Sequence, residues 1–353
     1  MENKKGLHIF IVIWTAIIFA FSFVSACLVY NVVKVIIFSL IGIVITIVLN
    51  ALLHEIGHLI LGKIVGLKLI SIKILFLHLD FSTGKLKISF QKADDLGETI
   101  FLPNDNKNLA KRVAISTFGG LLFTAILLLF GMLSLLLFFA KNIYFDCFVA
   151  LPTAVTLYYF LINLVGSENC DGLYIVNLLN YKGEDREIAD NALYIGKLIY
   201  DGIAPKEIPN KYLQKYKLDY SLFSTMIVYY RYLSLIGVNE EYAIKEIYKI
   251  SNREFIKDNL FDSVMCELYF VAYLTSDTVF LNQNKEIIER IIEYDTSFYA
   301  KRAHIVLRAV ANETEWANIL IESAEKELNC DNLSGILALE KQLIQKLKIK
   351  VNK

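Results

Sequence analysis

The chain has 353 residues, of which 56% are hydrophobic and 20% are charged, and its mean hydropathy is +0.48. This apolar fraction is too high for an ordinary soluble protein and indicates a membrane protein long enough for two or three domains. The formal net charge is zero, so no basic surface argues for nucleic-acid binding. The five cysteines form no paired motif and are expected to be reduced thiols rather than a disulfide framework.

Four apolar runs are each long enough to cross a bilayer as a helix. They are Ile9 to Val33, Val35 to Leu53, Val113 to Ala140 and Cys147 to Ser167. The first could instead be a signal peptide, but its apolar core is longer than a secretory one, so a retained helix is expected. Basic residues concentrate before the first run and between the second and third. This pattern predicts an integral membrane protein with both termini in the cytoplasm. The membrane is expected to be that of a bacterial cell.

The second run leads directly into the motif His54-Glu55-Ile56-Gly57-His58. Two histidines four residues apart on a helix project from one face, so both imidazoles can bind one zinc ion. The adjacent Glu55 can act as general base toward water that the metal activates. The alternative is a pair of histidines at the wet end of a helix. Asn50 lies on the same stripe and could hydrogen-bond within the site or make an interhelical contact.

Between the second and third runs, Leu67 to Phe90 alternates apolar and polar residues around Ser82-Thr83-Gly84. A period of two around a glycine-containing turn predicts a short β-hairpin at the membrane. Its edge could hold an extended substrate as an added strand, or the hairpin could simply pack against helices. His78 could be a metal ligand, although a lone histidine outside a ligand spacing is more often not.

The third and fourth runs carry polar or small residues near their predicted cytoplasmic ends. Gly119 and Gly120 in the third run predict the close approach of another helix. In the fourth run Asn163 is followed by Asp171 and Gly172. A catalytic zinc site needs at least one more protein ligand, and Asp171 is predicted at the depth of the histidines. A carboxylate that is merely solvated at the membrane boundary would give the same pattern.

Together these motifs resemble the site-2 protease family of intramembrane zinc metalloproteases, over roughly residues 35 to 180. That family joins a His-Glu-x-x-His helix to a later span bearing Asn-x-x-Pro-x-x-x-x-Asp-Gly. The second element here runs from Asn163 to Gly172, with Gly166 in place of the proline. Phe118 to Phe123 resembles a weakened form of the family's Ala-Gly-Pro-x-x-Asn. These departures indicate a divergent branch with its own substrate.

The resemblance implies a set of site residues: the zinc ligands His54, His58 and Asp171, the base Glu55, and Asn163 as the residue that positions substrate or stabilises the oxyanion. Cys170 could compete with Asp171 for zinc because thiolate is a good zinc ligand. The spacing of the family motif favours Asp171.

Beyond about residue 180, frequent charges predict a soluble domain. Three helical patterns follow, at Leu222 to Ile250, Asp262 to Tyr294 and Ser297 to Leu328. Their starts are about 35 residues apart, which is close to the tetratricopeptide period. The diagnostic positions align poorly, so a plain helical bundle is the alternative. A domain of this kind could bind a peptide or protein partner.

The predicted fold is mainly α, with about four transmembrane helices. It comprises an N-terminal membrane helix at 1–34, a membrane core at 35–180 with a β-hairpin at 67–90, and a cytoplasmic helical domain at 181–353. The predicted function is zinc-dependent cleavage of a membrane-anchored protein or peptide precursor near the cytoplasmic face, as in regulated intramembrane proteolysis or peptide processing. The alternative is a catalytically silent relative that binds peptides or scaffolds a complex, which would not need Glu55 as a base. A transporter is disfavoured because the polar groups cluster at one depth.

Overall fold

The structure is a computed structural model that describes residues 32–82, 85–90, 96–138, 143–165, 170–218, 221–251, 258–328 and 335–352. The chain separates into two compact units, of which the first ends at Tyr181 and the second begins at Lys182. The described part is mainly helical and contains a small antiparallel sheet. The predicted first membrane helix, Ile9 to Val33, lies outside the described residues except for its last two positions, and Gly166 also lies outside them.

Three helices of the described residues are long and apolar enough to cross a membrane. They are α1 (Val32–Ile64), α2 (Leu109–Phe138) and α3 (Ile143–Val165), and a shorter helix, α4 (Asp171–Asn180), follows. Helices suit this environment because each backbone hydrogen bond is made within the segment, and hydrocarbon offers no alternative partner. α1 joins the second apolar run and the histidine motif in one helix of 33 residues. Since about 20 residues cross a bilayer core, the motif occupies a part of the helix beyond the minimum span.

Glycines allow α1 to approach its neighbours closely. A Cβ atom built on Gly57 of α1 or on Gly119 of α2 would overlap the backbone of the other helix. At Gly42, a Cβ would lie 2.8 Å from the carbonyl oxygen of Phe148 and 2.9 Å from Cγ of Pro152, both in α3. Small residues at these positions therefore let α2 and α3 pack closely against the end and the middle of α1.

The sheet between α1 and α2 has four strands in the order β3-β2-β1-β4. The strands are β1 (Leu67–Ile74), β2 (Leu77–Asp80), β3 (Lys87–Phe90) and β4 (Gly97–Pro103). The prediction of a single hairpin was too simple, because the chain first turns at Leu75 and β2 separates β1 from β3. Leu75 adopts a positive φ of 55° without a glycine, so this turn carries no sequence signal.

Strand β4 lies against helix α1 through alternate residues. Thr99 and Gly97 contact Glu55. Two residues further along, Phe101 packs on Gly62, where a Cβ would lie 2.5 Å from the phenyl Cζ. Alternate residues of a strand share a face, so these three contacts follow from one strand laid along one helix. The sheet is thereby positioned beside the histidine motif.

Arg112 at the start of α2 holds the end of α1. Its Nε donates to the Val65 carbonyl at 2.8 Å, and its Nη2 donates to the Gly66 carbonyl at 2.6 Å. Asp105 accepts a third bond from Nη1 at 2.9 Å. The last carbonyls of a helix have no intrahelical partner, so a guanidinium here satisfies them and fixes the two helices to each other.

The second unit is helical throughout its regular elements. α5 (Gly183–Tyr200), a 3₁₀ turn (Pro205–Glu207) and α6 (Asn210–Leu213) precede α7 (Leu222–Leu235), α8 (Glu240–Tyr248), α9 (Asp258–Thr275), α10 (Thr278–Tyr294), α11 (Phe298–Val310), α12 (Thr314–Leu328) and α13 (Leu337–Val351). Each of the three predicted helical patterns corresponds to a pair of helices, α7–α8, α9–α10 and α11–α12. Side-chain caps start two of these helices. Asp277 accepts from the Phe280 N–H at the start of α10, and Ser297 accepts from the Ala300 N–H at the start of α11.

The core of the second unit contains a charged cluster that the sequence did not predict. Arg302 of α11 is fully buried, and its Nη2 donates to Oε1 of the buried Glu267 of α9. Its Nε lies 3.0 Å from Oε2 of Glu340 of α13. The hydroxyl of Tyr232 donates to the other oxygen of Glu267 at 2.7 Å. These contacts connect α7, α9, α11 and α13 across the core.

Candidate metal centre

The side chains of His54, His58 and Asp171 meet at one point in the first unit. The two imidazoles lie on successive turns of α1 with ring centroids 4.6 Å apart. Asp171 is the first residue of α4, and its Oδ2 lies 3.1 Å from His54 Nε2 and 3.4 Å from His58 Nε2. His54 is only 4% exposed. The structure therefore brings the three predicted ligands together, although two separate helices supply them.

Neighbouring groups on α2 settle the tautomer of each neutral imidazole. His58 Nδ1 lies 3.1 Å from the carbonyl oxygen of Ser116, which can only accept, so this nitrogen carries the proton. His54 Nδ1 lies 3.1 Å from Oγ1 of Thr124. That hydroxyl already donates its proton to the Gly120 carbonyl at 2.9 Å, so it accepts from the imidazole. Both Nε2 atoms consequently present lone pairs toward Asp171.

Three acceptor atoms thus face one another in a buried place. Among the described residues Asp171 Oδ2 has no hydrogen-bond partner. Such an arrangement is repulsive until protons or a metal cation join the acceptors. Two ligand atoms on a tetrahedral zinc ion, at about 2.0–2.1 Å from the metal, are about 3.3 Å apart. The distances from Asp171 Oδ2 to the two nitrogens bracket that value, so the residues fit a zinc ion.

Glu55 lies beside this cluster and is 3% exposed. Its Oε2 accepts a hydrogen bond of 2.5 Å from Oγ1 of Thr99 in β4. Ligand atoms of His54, Glu55 and His58 lie within 4.8 Å of one another, so Glu55 is itself a possible third ligand. Asp171 is the better one, because its oxygen lies directly against both Nε2 atoms, whereas the Glu55 carboxylate is engaged by Thr99. Glu55 is then free to exchange protons at the edge of the centre.

Two further residues form the walls around the imidazoles. A Cβ atom on Gly120 would lie 2.5 Å from His58 Nε2 and 2.7 Å from His54 Cε1, so a larger residue would displace both rings. The ring of Tyr159 in α3 meets the His54 ring edge-on, with centroids 5.4 Å apart. Gly120 therefore has a role at the centre beyond helix packing.

The other candidate residues make contacts of their own. Asn163 donates to the Tyr159 carbonyl within α3 at 2.9 Å, and Asn50 donates to Thr156 of α3 at 3.0 Å. The second contact makes Asn50 an interhelical residue, one of its two expected roles. His78 lies in β2 with Nδ1 3.3 Å from Ser89 Oγ. Cys170 is buried at the N-cap of α4, next to Asp171.

Sequence reasoning missed Thr124 and Thr99, which orient groups at the centre. Thr124 could have been found, since it is a polar residue four positions after Gly120 and therefore on the same face of the third apolar run. It also immediately follows Phe123, the position of the family's missing asparagine. Thr99 could not have been found, because strand β4 was not predicted.

The centre combines ligands suited to a divalent cation with a carboxylate that can move a proton. The candidate ligands and the carboxylate belong to α1 and α4, and residues of α2 and β4 hydrogen-bond to them. Comparison of the chain with protein-family models, with curated proteins and with solved structures found no match. The chemistry of the centre is therefore inferred from its own residues.

Proposed function

We propose that the protein is a zinc-dependent intramembrane endopeptidase of the site-2 protease type. His54, His58 and Asp171 would hold the metal ion. The observation that carries the proposal is the contact of Asp171 Oδ2 with two imidazole nitrogens whose lone pairs point toward it. When bound, zinc supplies Lewis-acid activation of water and of the scissile carbonyl.

Glu55 is the proposed proton carrier. Its Oε2 accepts from Thr99, and its Oε1 lies against Gly97 of β4. The carboxylate would take the proton from the attacking water and return it to the nitrogen of the departing amine, which balances the hydrolysis of the peptide bond. A general base in this position argues against a catalytically silent relative, because a binding protein needs no such group.

The sheet suggests how a substrate is held. β4 is at one edge of the four-stranded sheet, and its inner face reaches Glu55. We propose that an unwound substrate segment pairs with this edge as an added strand, which brings its carbonyls past the centre. A helical substrate must first unwind, so segments with helix-weakening residues are favoured. Asn163 would position the substrate or stabilise the oxyanion once the substrate is bound.

The proposal extends to the setting of the enzyme. The chain would cross a bacterial cell membrane four times with both termini in the cytoplasm, which places the centre near the cytoplasmic face. Residues 181–353 would form a cytoplasmic, tetratricopeptide-like domain that binds a peptide or protein partner. The substrate would be a membrane-anchored protein or a peptide precursor.

The test is cleavage by the purified full-length chain in liposomes. Candidate substrates are small membrane proteins encoded beside its gene, each carrying a fluorescent tag. Wild type should cleave at least one, and Glu55→Gln should be slower by about 100- to 10,000-fold, the range for loss of a general base. His78→Ala is the matched control, because His78 lies in β2 against Ser89, and it should leave the rate unchanged. Equal cleavage by Glu55→Gln and wild type would rule out this mechanism.

A further inference from the structure

We infer that Thr99 is a positioning residue that keeps Glu55 from becoming a metal ligand. The inference rests on the proposed metal site and goes beyond it, since it assigns a role to a strand outside the predicted motifs. Thr99 donates to Glu55 from the edge strand of the sheet, and the Glu55 side chain that accepts this bond is buried.

The need for such a residue follows from the geometry of the motif. A Glu55 ligand atom lies within 4.8 Å of those of both histidines. Carboxylate oxygen is a normal zinc ligand, and a side chain with three rotatable bonds can cover such a distance by changing rotamer. A fourth protein ligand would occupy the position that a catalytic site keeps open for water or substrate. Glu55 would then also cease to be a free base.

Strand β4 restrains the carboxylate from two directions. Thr99 hydrogen-bonds Oε2, and Gly97 packs on the remainder of the group, where a Cβ would lie 2.7 Å from Cγ and 2.8 Å from Cδ of Glu55. The strand itself is fixed, because Thr99 pairs with Ile72 of β1, which is 4% exposed. The hydroxyl therefore acts from a rigid element, as accurate positioning requires.

Two substitutions separate the hydroxyl from the volume of the side chain. Thr99→Val keeps the shape and removes the donor, whereas Thr99→Ser keeps the donor and removes a methyl group. Gly97→Ala is an independent variant, since its added methyl group pushes the carboxylate away from β4. Thr99→Val and Gly97→Ala should both release Glu55 toward the metal.

The experiment uses full-length protein in detergent, loaded with Co²⁺ in place of zinc, and follows visible absorption during titration with azide. Co²⁺ absorption depends on coordination geometry, and azide binds only where a position is open. Wild type and Thr99→Ser should share one spectrum and one azide affinity. Thr99→Val and Gly97→Ala should show a changed spectrum and an azide affinity weaker by roughly 10-fold or more, the size of outer-shell effects at metal sites.

A double variant makes the result specific to Glu55. In the Glu55→Gln background, Thr99→Val should leave the spectrum unchanged, because no carboxylate remains to move. An altered spectrum in that background would overturn the inference, since the change would then have another source such as misfolding. A Thr99→Val spectrum identical to wild type would also overturn it while leaving the metal site intact. Failure of wild type to bind Co²⁺ would overturn both the inference and the proposed function.

Discussion

The two units of the molecule bury ionisable side chains in opposite ways. In the second unit, the carboxylates of Glu267 and Glu340 face the guanidinium of Arg302. In the first unit, Asp171 faces two imidazole nitrogens that present lone pairs. One cluster contains its own cation, and the other is complete only when a cation or protons are added.

The Arg302 cluster of the second unit shows how the chain balances buried charge without a ligand. Two carboxylates and one guanidinium leave one excess negative charge. Burial, opposed by the charge of Arg302, raises the pKa of Glu340 to about 7, so protonation at this residue can make the cluster neutral. The hydroxyl of Tyr232 also donates a hydrogen bond to Glu267. Buried charge is tolerated here because both carboxylates face the guanidinium of Arg302.

The difference between the two clusters indicates that the Asp171 cluster needs a bound cation. A buried cluster of acceptors that lacks a matching donor within the chain is expensive unless it binds an ion, as metal sites do. Glu267 pairs with Arg302, whereas within the part of the chain that the structure describes the ion-pair partners of Asp171 are the two histidines and include no arginine or lysine. This contrast supports the proposal that the Asp171 cluster binds a metal ion, whereas the Arg302 cluster has a structural role.

The largest effect on stability is expected from Arg302→Met. Removing the guanidinium leaves two buried carboxylates without their cation, which typically destabilises a protein by about 3–5 kcal/mol. The measurement is the urea midpoint of Trp316 fluorescence in the full-length chain, in a Trp14→Phe background so that only the second unit reports. Glu340→Gln is the matched control, because it resembles the protonated form, and its midpoint should change little. Comparable midpoints for Arg302→Met and wild type would show that the cluster is not a balanced charge centre.

A smaller effect, on metal affinity, is expected from Thr124→Val at the Asp171 cluster of the first unit. This change removes the hydroxyl that accepts from His54 Nδ1. The imidazole is then no longer held in the tautomer in which Nε2 carries the lone pair. Loss of an outer-shell partner of this kind typically weakens metal affinity by roughly 10- to 100-fold. Competition with a fluorescent zinc chelator measures the affinity, and Thr117→Val, on the same helix but bonded to the Val113 carbonyl, is the control. An unchanged affinity would mean that the tautomer is not set by Thr124.

Much of the architecture was predictable because its signals are local. Long apolar runs gave α1, α2 and α3, and periodic patterns gave the helix pairs of the second unit. The sheet was only partly predictable, since the turn at Leu75 uses a non-glycine residue with positive φ and β4 pairs with β1 rather than with the strand before it in the chain. Arg302 was not predictable as a core residue, because its partners come from helices distant in sequence.

The three residues that meet at the candidate centre were predictable from the sequence, whereas the two threonines that orient groups there were missed. His54 and His58 follow from helical spacing, and Asp171 follows from the motif that begins at Asn163. Thr124 shares a helix face with Gly120, which the sequence shows. Thr99 contacts Glu55 from 44 residues away along the chain, and no local pattern encodes that contact. Supporting hydrogen bonds of this kind depend on the tertiary structure and become visible only in it.

The most direct test of the account is the zinc content of the purified full-length protein, measured by mass spectrometry for wild type, His54→Ala and Asp171→Asn. Three ligands from two helices should retain one zinc ion per wild-type chain after dialysis against a weak chelator. Both variants should lose it, since each lacks one of three protein ligands. Zinc retained equally by Asp171→Asn and wild type, or no zinc bound by wild type, would contradict the assignment of a metal centre to His54, His58 and Asp171.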